Sequence, residues 1–112
     1  LMTKADSFAP ICLEDETLEF QPEIHQSCMK EITQLRKSKE LLTFAKKIKC
    51  PVVALHGEYD SHAFEGVEIP LAPIIKDFKF ILLKDCGHYP WNELHAKEKF
   101  LEVLYDELRL SI

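Results

Sequence analysis

The chain has 112 residues, of which 46% are hydrophobic, and a formal net charge of −5 at pH 7. That is one domain's length with enough apolar content for a core, which argues against disorder. Residues 1–50 carry eight basic and eight acidic side chains and residues 51–112 six and eleven, a balance without the basic patch of a nucleic-acid binder.

The basic run from Arg36 to Lys49 has the spacing of a solvated helix face rather than an anion site. Four widely spaced cysteines (Cys12, Cys28, Cys50, Cys86) form no Cys-x-x-Cys pair, so neither zinc nor a disulfide framework is indicated, and reduced thiols in a cytoplasmic protein are expected. No apolar run approaches the roughly 20 residues that span a bilayer, and no membrane partner is expected. A chain that opens Leu1-Met2 is expected to be a fragment, a processed product or an expression remnant.

Residues 1–20, with Pro10 and the acidic cluster Glu14-Asp15-Glu16, predict irregular structure with room for a short helical turn. Pro22 suits the first turn of a helix, and Ile24, Cys28, Ile32 and Leu35 recur as an amphipathic stripe, with His25 at the surface or the boundary. Ser38 is the expected N-cap of a second helix running to about Lys47, with Leu41, Leu42, Ala45 and Ile48 inward. Cys50-Pro51 ends it.

Val52–Leu55 and Phe80–Leu83 are short, continuous apolar runs, the pattern of strands buried on both faces of a parallel sheet. Between them a helix is predicted from Pro70 to Lys76, completing a βαβ unit. A last helix is predicted from Asn92 to Leu110, with Ala96 or Lys97, Phe100, Leu101, Leu104 and Leu108 on its inner face. The fold class is α/β: two parallel strands with packing helices. Two strands cannot cover their own edges, so a further chain segment or a second subunit is expected to complete the sheet, with a homo-oligomer as one route.

The loops leaving these strands carry the chemistry. Asp60 follows Leu55 by five residues, and His88 follows Leu83 by five. Gly87 is expected to make the sharp reversal that holds His88 at the strand's carboxyl end, where α/β sheets bind ligands. An aspartate that accepts from one imidazole nitrogen leaves the other free to take a proton from a nucleophile. Adjacent strands lie roughly 5 Å apart, close enough for the two loops to meet. Glu58 is an alternative partner for the histidine, and Asp85 is expected to cap or stay solvated. Cys86 sits too close to His88 along the backbone to be its nucleophile, and His62 and His95 lack a metal-type arrangement. Trp91 is expected to pin the last helix as a buried ring or to line an acyl pocket.

The stretch Cys50-Pro51-Val52-Val53-Ala54-Leu55-His56-Gly57-Glu58-Tyr59-Asp60, followed by Cys86-Gly87-His88-Tyr89-Pro90-Trp91-Asn92-Glu93, resembles the C-terminal part of the α/β-hydrolase fold family. In that family an apolar strand ending in Gly-x-x-Asp carries the triad acid, and a later Gly-His-x-Pro, often with Glu three residues after the proline, carries the histidine. Asp60, His88, Pro90 and Glu93 match those positions, and the resemblance runs from about Leu41 to Leu108. It implies residues 38–112 as the C-terminal part of the core, residues 1–37 as the end of a helical cap, Asp60 and His88 as catalytic residues, and Trp91 in the substrate pocket.

The sequence departs from the family in one large respect. The nucleophile of that family lies in Gly-x-Ser-x-Gly upstream of both residues. Here none of Ser7, Ser27, Ser38, Ser61 and Ser111 lies between glycines. The resemblance therefore implies the C-terminal segment of a serine hydrolase acting on a small-molecule ester or amide, without a cofactor or metal and inactive alone. The alternative is a non-catalytic remnant that oligomerises or binds a partner.

Overall fold

A computed structural model describes residues 5–13, 19 and 21–110. The chain is mixed α/β. Its elements run α1 (Pro22–Lys37), α2 (Glu40–Ala45), β1 (Val52–Gly57), α3 (Glu65–Leu71), β2 (Phe78–Leu83), a 3-10 turn (Pro90–Asn92) and α4 (Lys97–Leu110). Among the described residues no helix is long and apolar enough to cross a membrane.

Pro22 opens α1, where its fixed φ suits the helix and its missing N–H costs nothing. Glu23 in the first turn and Arg36 and Lys37 in the last complement the helix dipole. No residue of α1 is buried, and His25 is on the surface as expected. Ile32 and Leu35 of its stripe are half-buried, while Ile24 is 59% exposed. Ser38 is not the N-cap residue of the second helix, although its hydroxyl accepts from the Glu40 N–H at 3.4 Å. It closes α1, donating its N–H to the Gln34 carbonyl, and Lys39 takes the cap position with φ of 63°. The reversal between the helices needs that left-handed residue, which displaces the serine by one. Helix α2 is correspondingly shorter than expected and buries only Ala45.

The two apolar runs are strands, and both extend beyond their apolar cores because polar neighbours share the ladder. The strands pair in parallel with Val52 opposite Phe78 and Gly57 opposite Leu83. Continuous burial, however, is not what the strands show. Leu82 is 37% exposed, and among the described residues each strand has a neighbour on one side only. The connecting helix lies five residues earlier than predicted. It ends one residue after Pro70 instead of starting there. Proline removes the bond to Gly66 and disfavours continuation, so it terminates this short helix.

The last helix starts at Lys97, not at Asn92. Pro90 supports a single 3-10 turn, and Glu93 then turns extended, with φ of −104° and ψ of 128°. Its buried face follows Ala96, Phe100 and Val103. The expected Leu104 and Leu108 are 36% and 53% exposed. Packing selects the Ala96 stripe because Ala96, with Phe100 beside it, seats the helix on Leu83 and Cys86, the centre of the core; Leu55 and Ile81 complete that cluster. Trp91 is 56% exposed, so it is not a buried pin, although its ring lies 6.0 Å from that of Phe100.

Candidate functional site

The register that sets Gly57 opposite Leu83 brings the two carboxyl-end loops level. They are then stitched together by main-chain bonds: Glu58 N–H donates to the Leu83 carbonyl at 2.9 Å, and Tyr59 N–H to the Cys86 carbonyl at 2.8 Å. The approach is close enough that a Cβ on Gly57 would collide with the Gly87 carbonyl and the Cys86 backbone. Gly87 is required for a similar reason: a Cβ there would meet the backbone of Asp6 and Ser7. The expected conformational role of Gly87 is not what is found. No glycine has positive φ, and the reversal after β2 falls on Asp85, with φ of 50°. Aspartate tolerates that left-handed region better than most residues.

Within these loops Asp60 and His88 meet. His88 Nδ1 lies 2.9 Å from Asp60 Oδ2, and the Asp60 side chain is 6% exposed while the His88 side chain is 42% exposed. A carboxylate accepts only, so Nδ1 carries the hydrogen and Nε2 is the nitrogen able to accept a proton. The second carboxylate oxygen, Oδ1, accepts from the His62 backbone N–H at 2.9 Å. Burial pushes the Asp60 carboxyl up, but the His62 N–H, the His88 hydrogen bond and charge, and the His56 charge outweigh it and hold Asp60 below its ordinary value of 3.8. Asp60 is thus kept ionised against an imidazole that solvent can reach.

The alternatives resolve by position. Glu58 is exposed and hydrogen-bonds through its backbone to β2, and His88 pairs with Asp60. Cys86 is fully buried, its Sγ directed to the Gly87 carbonyl; burial first, then the charges of Glu93 and Asp60, pushes the thiol up to about 11. A thiol of that pKa is a poor nucleophile near neutrality. The Ser61 hydroxyl donates to the Asp6 carboxylate. Among the described residues no His, Cys, Asp and Glu cluster is arranged to hold a metal ion. Trp91 stands 5.8 Å from Tyr89, whose ring meets His88 edge-on at 5.0 Å, so Trp91 is one aromatic ring removed from the imidazole.

Two features of the site went unread in the sequence. The first is the segment from Asp6 to Cys12, which forms a strap across the histidine loop. The Asp6 carbonyl accepts from the His88 N–H at 2.6 Å, Ala9 and Asn92 carbonyls accept from Leu94 and Ile11, and Phe8 stacks on Tyr59 at 4.5 Å. The second is the role of Glu93, matched above only as a motif position; its side chain is fully buried. Its Oε1 accepts from Phe8 N–H at 2.8 Å and Gly87 N–H at 3.2 Å, and its Oε2 from Ala9 N–H at 2.7 Å. One carboxylate therefore joins the strap to the loop that carries His88. An acid three residues after Pro90, in a loop otherwise bound for the interior, was the available signal.

The pair has the geometry for orienting an imidazole and stabilising its protonated form, which is the support a general base needs. Compared with family models, curated proteins and solved structures, the chain finds no match.

Proposed function

We propose that this chain is the acid-and-histidine part of a serine hydrolase of the α/β-hydrolase type, with Asp60 orienting His88 and His88 acting as general base. The observation that carries the reading is the 2.9 Å contact between His88 Nδ1 and a nearly buried Asp60 carboxylate, at the carboxyl ends of adjacent parallel strands. In the reaction, Nε2 of His88 takes the proton of a serine hydroxyl as that oxygen attacks the acyl carbon, then returns it to the leaving group. Asp60 stabilises the imidazolium between the two steps. The serine and the donors for the oxyanion come from a separate segment or subunit, which also pairs with an open edge of the sheet. The substrate is a small ester or amide, and no cofactor takes part. In this reading residues 1–37 end a helical cap, and Trp91 borders the pocket beyond Tyr89.

The test is acyl-ester turnover by the polypeptide or complex that supplies the nucleophile, with Asp60→Asn and His88→Ala in this chain. Loss of at least 10³-fold in kcat is expected for each, in line with about 10⁴ for removing the acid's charge in a triad. Turnover unchanged in either variant would defeat the assignment.

A second reading, a non-catalytic module that binds a partner or another copy through its sheet, is favoured by one specific observation. Large apolar side chains stand exposed, Ile69 at 67%, Leu82 at 37% and Leu108 at 53%, and among the described residues each strand pairs on one side only. It predicts tight association without any effect of Asp60→Asn or His88→Ala on the partner's activity.

A further inference from the structure

The Asp60–His88 pair depends on a loop, and loops do not hold a carboxylate by themselves. Three residues of that loop, Asp60, Ser61 and His62, belong to no helix or strand, and Ser61 and His62 are exposed. The Asp60 N–H donates to the Gly57 carbonyl and the Ser61 hydroxyl to the Asp6 carboxylate, while the backbone of His62 is held by a second imidazole. His56 is the fifth residue of β1, and its ring lies over Phe80 of β2, centroids 6.2 Å apart and planes within 30°. Its side chain is 11% exposed. Its Nε2 stands 2.7 Å from the His62 carbonyl oxygen and 3.5 Å from Asp60 Oδ2. A carbonyl oxygen cannot donate, so Nε2 must carry the hydrogen and give it to His62; the carboxylate at 3.5 Å is a charge neighbour and lies beyond a good hydrogen bond.

The consequence is a chain of bonds that starts on the strand and ends on His88. His56 Nε2–H holds the His62 carbonyl, the N–H of the same His62 donates to Asp60 Oδ1, and Asp60 Oδ2 receives His88 Nδ1. The strand and the stacked Phe80 ring supply the rigidity, and the backbone of His62 transmits it. We propose that His56 is a positioning residue for the Asp60–His88 pair, anchoring the acid loop through the His62 carbonyl. The inference rests on the pairing assigned above but not on the identity of any substrate.

The requirement is for a donor at that place rather than for an imidazole as such. His56→Gln keeps an N–H within reach of the His62 carbonyl, whereas His56→Phe keeps the ring over Phe80 and removes the donor. The readout is the tautomer of each imidazole, measured by nitrogen-detected NMR on the labelled 112-residue chain above the ordinary imidazole titration range. In the unsubstituted chain, His56 is expected as the Nε2–H form and His88 as the Nδ1–H form. His88 should stay Nδ1–H in His56→Gln and turn predominantly Nε2–H in His56→Phe, as it should in Asp60→Asn. Persistence of the Nδ1–H form of His88 in a folded His56→Phe chain would overturn the positioning role, and so would an Nδ1–H form of His56 in the unsubstituted chain. The latter measurement needs no variant and decides the matter if His56→Phe does not fold. An Nε2–H form of His88 in the unsubstituted chain would instead strike at the Asp60–His88 pair, and with it the functional reading beneath.

Discussion

Glu93 offers the sharpest test of how the site is held together. Its carboxylate is fully buried and accepts three backbone N–H groups, two on Oε1 and one on Oε2. In Glu93→Gln the better amide orientation keeps the oxygen where it serves Phe8 and Gly87 and turns the NH₂ toward the Ala9 N–H, so one bond becomes a donor facing a donor. Hydrogen bonds to charged acceptors contribute about 1.5–3 kcal/mol each, and a buried polar group left unsatisfied costs about 1–3 kcal/mol. The two surviving bonds also weaken to neutral ones. Against this, the substitution removes the cost of burying a charge, which offsets part of the loss. The net expectation is a destabilisation of about 2–3 kcal/mol for Glu93→Gln, and more for Glu93→Ala, which strands all three donors. Urea unfolding measures the total, and amide hydrogen exchange locates it. Protection at Phe8, Ala9, Ile11 and Leu94 should fall furthest, since these amides hold the strap or its receiving loop. A stability change below about 0.5 kcal/mol, the range of ordinary surface substitutions, would refute the latch. So would unaltered protection at Phe8 and Ala9.

Three further outcomes are expected. Asp60 titrates below its ordinary 3.8 in the folded chain, so the unfolded chain binds more protons in the interval beneath that value. Its contribution to stability is therefore complete above about pH 5 and is lost as the pH falls through the folded pKa; Asp60→Asn should flatten the acid limb of stability against pH, and an unchanged limb would contradict the shift. The buried Cys86 thiol, raised to about 11, should react with a thiol reagent far more slowly than the exposed Cys12, Cys28 and Cys50, until denaturant equalises all four. With large apolar groups exposed and both sheet edges open among the described residues, the isolated chain should self-associate; light scattering that reports only the 13.0 kDa monomer at high concentration would count against the sheet as an association surface.

Much of the architecture was legible in the sequence because the relevant signals are local. Val52–Leu55 and Phe80–Leu83 declare strands by unbroken apolar content in runs too short for helices, and Pro22 followed by a stripe at Ile24, Cys28, Ile32 and Leu35 declares α1. Boundaries were less legible where a residue has two possible uses. Pro70 can open a helix or close one, and Ser38 can cap the following helix or finish the preceding one; the choice depends on where the neighbouring elements leave room. The inner face of α4 is as expected at Phe100 and departs at Leu104 and Leu108, because leucine and valine look alike as core residues until the position of Ala96 against Leu83 and Cys86 selects Val103 over Leu104.

Asp60 and His88 were individually conspicuous as polar residues at equal distance from the ends of two apolar strands. The sequence alone determined those types and spacings, and nothing in it required the two side chains to touch. Contact was decided by the parallel register that sets Gly57 opposite Leu83, and by glycines at 57 and 87 that let the loops and the strap approach within the space of a Cβ. The strap, the Glu93 latch and the His56 anchor belong wholly to the tertiary structure. Each joins groups whose pairing answers a need for burial or for a hydrogen-bond partner, and that need exists only once distant segments have excluded water from the same place.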